Sequence, residues 1–148
     1  MAPQIGETWR NDGPEHTCFG CGHANARGLR LVFTRTGERT VEAPFRAEAH
    51  WCGAPAVVHG GIQAALLDEV MGMAGHLAFD AEADGDVDIV TADFRLRYRR
   101  PVPVAAPLVL HGELQRVEGR DVFVGGEIRD AAGAVLTTGE ARWRRLGR

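Results

Sequence analysis

His59-Gly60-Gly61-Ile62-Gln63-Ala64-Ala65-Leu66-Leu67-Asp68-Glu69 opens the longest helical stretch of this 148-residue chain, and its reading decides the fold. Ile62, Ala65, Leu66, Glu69, Val70, Met73 and Leu77 recur at helical spacing, which predicts a helix from about Gly61 to Phe79. The remaining faces carry Ala64, Leu67, Met71, Ala74 and Gly75, so this helix is apolar nearly all round. Such a helix must be buried on most sides. Two glycines at its start leave backbone N–H groups open to close approach, and the helix terminus favours negative charge there. Those are the needs of a site that stabilises charge developing on a carbonyl oxygen. Asp68, set among Leu66, Leu67, Val70 and Met71, is a carboxylate in apolar company. It is costly there unless it is paired, solvated by a pocket or used as a base.

Outward from the helix the pattern changes to strands. Before it, Leu29–Thr36 and Arg39–Phe45 alternate, with Gly37-Glu38 between them as a turn and Arg46–Val58 as a loop. After an acidic loop, Asp80–Asp86, comes a long strand, Val87–Arg100. Plain alternation puts Ala92, Phe94, Leu96 and Tyr98 on one face and Thr91, Asp93, Arg95, Arg97 and Arg99 on the other. Pro107–Val117, Asp121–Arg129 and Ala134–Arg144 follow with short connections, which requires mainly antiparallel pairing. The expectation is an α+β fold, a curved six-stranded sheet around one long helix. Residues 1–28, punctuated by Gly13-Pro14, Gly20, Gly22 and Gly28, read as an irregular segment packing on a single domain that spans 29–148.

Composition narrows the function. A net charge of -3 and a pI near 6.1 give no footprint for nucleic acid or an anionic membrane. No apolar run reaches the roughly 18 residues of a membrane span, and the polar start of the chain lacks the pattern of a signal peptide. Cys18, Cys21 and Cys52 are an odd set in a chain that needs no staples, so a reducing cytoplasm is expected. Basic residues nonetheless cluster at Arg95, Arg97, Arg99 and Arg100 and again at Arg142, Arg144, Arg145 and Arg148. The two runs read as a solvated strand face and a basic tail, and the first also reads as a local site for an anionic, phosphate-bearing ligand.

Spacing also speaks to assembly. Gly61 and Asp68 share a helix face but lie about 10 Å apart along the axis. They meet at one carbonyl only if two copies of the chain each supply one of them, so the site is expected at a homodimer interface with two-fold symmetry.

The stretch His59 to Asp68 resembles the signature of the hotdog-fold thioesterases, in the branch that includes the phenylacetate-pathway enzymes. Cys18-Phe19-Gly20-Cys21-Gly22, Gly28-Leu29 and Arg99-Arg100-Pro101-Val102-Pro103 are similar to members of that branch, and the resemblance covers roughly residues 18 to 145. It implies a sheet wrapped around the central helix, homodimers that often pair into tetramers, and hydrolysis of an acyl-CoA to a carboxylate and a free thiol without a cofactor. By resemblance, Gly61 supplies the N–H that polarises the thioester carbonyl, and Asp68 of the other subunit is nucleophile or general base. His59 orients the turn or the substrate, and Thr91 positions water or the carboxylate. Substrate contacts are expected from Gly60, Gln63, Glu69, Trp51 and Met71, with Arg97, Arg99 and Arg100 meeting the phosphates of coenzyme A. The family's Asn or Asp shortly before the His-Gly-Gly turn has no counterpart in His50-Trp51-Cys52-Gly53-Ala54-Pro55.

Adjacent Glu69 leaves open which carboxylate works. The competing readings are a hotdog hydratase acting on an enoyl or hydroxyacyl thioester, and a protein that binds acyl thioesters without turnover. Cys18 and Cys21 have metal-ligand spacing with His16 and His23 beside them, but no second Cys-x-x-Cys completes a set and no metal is expected. The glycines bridge no strand and helix, so no nucleotide signature is present.

Overall fold

The computed structural model describes residues 3–79 and 88–147; the acidic loop, Val87 and Arg148 lie outside the described residues. In chain order the elements are β1 (Thr8–Trp9), β2 (Phe33–Arg35), β3 (Thr40–Arg46), β4 (Cys52–Ala54), β5 (Val57–Val58), α1 (Gly60–His76), β6 (Ile89–Tyr98), β7 (Pro107–Glu118), β8 (Asp121–Asp130) and β9 (Val135–Arg145). Every pairing between these strands is antiparallel, and the main sheet runs β1-β2-β3-β7-β8-β9-β6. The strand that follows the helix therefore returns to the far edge of the sheet. This is the hotdog arrangement, one long helix wrapped by one sheet.

The strand count differs from the sequence reading. Among the described residues seven strands form the sheet, because Thr8–Trp9 pairs with β2 in register Thr8↔Thr34. Thr8 and Thr34 share a 2.8 Å hydroxyl bond, and the Trp9 ring sits 5.6 Å from Phe33. A two-residue strand carries no periodicity, so alternation does not reveal it. The Arg46–Val58 loop likewise contains the small β4–β5 ribbon.

The helix lies in a trench of glycines. Gly112, Gly126 and Gly139 are successive cross-strand partners on β7, β8 and β9. A Cβ on Gly112 would fall 2.5 Å from the Val70 carbonyl oxygen, and one on Gly126 would fall 2.7 Å from Met71 Cγ. Only a side chain of hydrogen lets the backbone of α1 come that close. Leu66, Leu67, Val70, Met71 and Ala74 are consequently fully buried, packed with Phe33, Val41, Leu110, Val124 and Ile128. Each large aliphatic side chain so buried contributes about 1.5–3 kcal/mol. Past His76 the helix tightens into a 3-10 turn, Leu77–Phe79, with the Leu77 N–H bonded to the Ala74 and Gly75 carbonyls.

One irregularity sets up the site. Opposite β9, β6 pairs Thr91 with Trp143 and Asp93 with Arg142, leaving Ala92 as an inserted residue. The bulge shifts the alternation by one. Phe94, Leu96 and Tyr98 face the helix as expected. Thr91 joins them instead of the arginines, which corrects the face assigned to it by simple alternation.

Candidate active site

At the start of α1, His59 is the capping residue, and its Nδ1 accepts the Gly61 N–H at 2.9 Å. Accepting at Nδ1 fixes the neutral ring's proton on Nε2. The first-turn amides of Gly60, Gly61 and Ile62 have no helical carbonyl behind them, which makes this end the natural place for an oxyanion. The turn is braced from several sides. The His59 N–H donates to the Trp51 carbonyl at 2.8 Å, and the Trp51 ring stacks on Phe45 at 5.6 Å. The Tyr98 hydroxyl donates to the Gly60 carbonyl at 2.9 Å. Tyr98 was not singled out as a site residue by the sequence reading, although its alternation already placed it on the helix-facing side of β6.

Two turns further on, Asp68 is half-buried, and Thr91 Oγ1 donates to its Oδ1 at 2.8 Å. Burial pushes the Asp68 carboxyl up, and the Thr91 hydroxyl partly offsets this by favouring the charged form. A carboxylate that is oriented by one neutral donor, with no arginine or lysine bonded to it among the described residues, retains basicity. Thr91 and Asp68 thus meet, and His59, Gly60 and Gly61 form a separate cluster along the same helix.

The other expected contacts scatter. Glu69 turns toward the N-terminal segment, where Cys18 Sγ lies 3.7 and 3.9 Å from its two oxygens. Burial pushes its carboxyl up as well. Gln63 is buried, with its amide donating to the Val58 carbonyl at 2.9 Å and its oxygen accepting from Thr137 at 2.6 Å. Met71 lies in the core against Gly126 and Gly139. Arg97 stands on the opposite side of the sheet from α1. It belongs to the cross-strand row Glu42, His111, Glu127, Thr138 and Arg97, which neighbours the glycine row and must face the other way. Arg95, Arg97 and Arg99 line an open cavity of about 350 Å³ there, and Arg100 is exposed at the strand's end.

The thioesterase superfamily profile matches residues 56–137. The chain is 31% identical over 107 residues to acyl-coenzyme A thioesterase THEM4 of Rattus norvegicus, covering 72% of this chain and 43% of that protein. It thus spans less than half the length of the curated relatives it matches. Among solved structures, the thioesterase superfamily protein RHA08564 superposes with a TM-score of 0.73 at 33% identity, over 82% of this chain and 60% of that one. Smu.793 of Streptococcus mutans, solved with acetyl CoA, shares the fold with a TM-score of 0.68 at 13% identity, over 80% and 90% of the two chains.

Proposed function

The chain belongs to the thioesterase superfamily, and from that premise we propose that it hydrolyses acyl-coenzyme A thioesters to a carboxylate and a free thiol. The observation that carries this reading is Asp68, held by Thr91 on the helix that begins at the His59-Gly60-Gly61 turn. The name of the rat relative supports the substrate class.

In the proposed reaction the acyl carbonyl takes the Gly61 N–H as His59 turns aside. The ring gives up one hydrogen bond, and the substrate oxygen gains a charge-assisted one as the reaction proceeds. Asp68 of the partner subunit then either attacks the carbonyl carbon or takes a proton from the water that does. In both routes the C–S bond breaks and the thiolate leaves and is protonated; with Asp68 as base, water supplies the new oxygen of the product acid, and with direct attack water opens a mixed anhydride of Asp68 and the acyl group. A single turnover in ¹⁸O water identifies direct attack when the label enters the Asp68 carboxylate, because water has then opened the anhydride at the Asp68 carbonyl and the product acid keeps an unlabelled Asp68 oxygen.

The proposed dimer is supported by the roughly 10 Å between Gly61 and Asp68 along one helix. It is also supported by β6, an edge strand of 10 residues whose second side has no partner in the main sheet among the described residues. A two-fold pairing of β6 edges extends the sheet and sets the helices side by side; a dimer of such dimers is the next level expected. Arg97 and Arg99 lie across the sheet, so the carrier's phosphates meet them by rounding the strand end at Arg100. The three cysteines are free, which fits a cytoplasmic setting. Among the described residues no helix is long and apolar enough to cross a membrane.

The test is thiol release from short, medium, long and aromatic acyl-CoAs. Turnover of at least one of them supports the reading and ranks the acyl groups. Binding of all without release points to a carrier protein, and water addition to an enoyl-CoA points to a hydratase.

A further inference from the structure

Cys18-Phe19-Gly20-Cys21-Gly22 plays no part in the chemistry above, yet it is built tightly against the central helix. The Gly22 N–H donates to the Cys18 carbonyl at 3.0 Å, and Leu29 and Leu31 bond back to Phe19 and Gly20 at 2.7 and 3.1 Å. A Cβ on Gly20 would lie 2.2 Å from Glu69 Oε2, so the loop backbone rests directly on that carboxylate. The two sulfurs and a Glu69 oxygen all fall within 4.8 Å of one another.

The company kept by Glu69 is unusual for a half-buried acid. Among the described residues no Arg or Lys pairs with it, and the side chains bonded to it are the thiols of Cys18 and Cys21. Thiols are weak donors. A second carboxylate, Asp68, is the next residue, and His76 is a longer-range electrostatic neighbour. Such a carboxylate lacks a compensating cation. Two cysteines and a glutamate are a donor set for zinc. Bonds of about 2.3 Å to sulfur and about 2.0 Å to oxygen in a tetrahedron put neighbouring ligand atoms about 3.5 Å apart. The 3.7 and 3.9 Å from Cys18 Sγ to the Glu69 oxygens are close to that spacing.

We propose that Cys18, Cys21 and Glu69 bind a zinc-class divalent ion that fastens the N-terminal segment to α1 beside Asp68. The fourth position is left to water, entering past the exposed Cys18, while Asn11 stands as a hydrogen-bond partner of Cys21. Binding releases the two thiol protons to solvent, and the ion with two thiolates and one carboxylate carries a net charge of -1. The sequence offers no second Cys-x-x-Cys because the remaining ligand comes from the helix, 51 residues beyond Cys18. The proposal does not depend on the thioesterase reading.

The test uses the full chain, saturated with Zn²⁺ under reducing conditions and dialysed without chelator. Elemental analysis is expected to give about one zinc per chain, and exchange with Co²⁺ to give an intense thiolate-to-metal absorption in the near ultraviolet. Zinc should also protect Cys18 from thiol reagents while exposed Cys52 still reacts, a readout on the unaltered protein. Glu69→Gln should weaken zinc binding about 10–100-fold, with the cobalt–thiolate band kept at saturating metal. Failure of the wild-type chain to retain zinc, with no thiolate band on adding Co²⁺, overturns the proposal. So does mass-spectrometric detection of a Cys18–Cys21 disulfide as the form present in cells.

Discussion

Asp68 and Glu69 carry the same functional group one residue apart, and α1 delivers them to two different regions of the molecule. Asp68 meets the edge strand β6, where a single hydroxyl holds one oxygen at 2.8 Å and the carboxylate stays partly open. Glu69, a 100° rotation away, is enclosed by the N-terminal loop and its two thiols. Burial raises both carboxyls, so a raised pKa does not tell them apart. Their neighbours do. A lone orienting donor beside open space suits a group that must exchange a proton or attack; a packed shell of thiols suits a group that holds structure together.

The largest effect expected from this contrast is on the strand side. Asp68→Asn keeps the shape and the Thr91 contact but removes the charge, and should lower kcat/KM about 10²–10⁴-fold with melting temperature and oligomeric state unchanged. Equal loss in Glu69→Gln would break the division of roles. On the loop side, Gly20→Ala drives a methyl group into Glu69 and should destabilise the fold by about 1–3 kcal/mol in urea unfolding, with a smaller change in kcat. Thr91→Ala should cost roughly fivefold in kcat, about 1 kcal/mol for one lost orienting bond, with KM little altered. A rise in KM alone would make Thr91 a substrate contact.

The smallest effect serves as a control away from both regions. Arg144 and Arg142 hold the Asp121 carboxyl below its usual range. A depressed pKa in the folded state stabilises only above the unfolded value of about 3.9, and that contribution fades as the pH falls toward the folded value. The stability difference between wild type and Asp121→Asn should therefore be constant near neutrality, small because the pair is exposed, and shrink below about pH 4.

Much of this was legible in the sequence where a repeating pattern carried it. The helix began one residue from its expected start, and its all-round apolar surface is explained by the sheet on one side and the N-terminal loop on another. Alternation failed where one residue broke the period, at Ala92, and that failure concealed how Thr91 reaches Asp68. The glycine trench was visible only as a high glycine count, because the alignment of Gly112, Gly126 and Gly139 depends on strand register. Gln63 and Met71 sit on the site-bearing helix, but rotation about its axis sends them into the core. Cys18 and Cys21 show metal-ligand spacing in the sequence, but their contact with Glu69 is long-range and has no local signal.

The most direct test of the central claim mixes two inactive chains. Gly61→Pro deletes the proposed oxyanion N–H at a first-turn position where proline is tolerated, and Asp68→Asn deletes the carboxylate. If each site takes Gly61 from one chain and Asp68 from the other, every mixed dimer has one intact site and one doubly altered site. Co-refolding the two variants in equal amounts should then restore about a quarter of the wild-type acyl-CoA hydrolysis. Mixed dimers that form, as shown by native mass spectrometry, yet stay inactive would contradict the shared site.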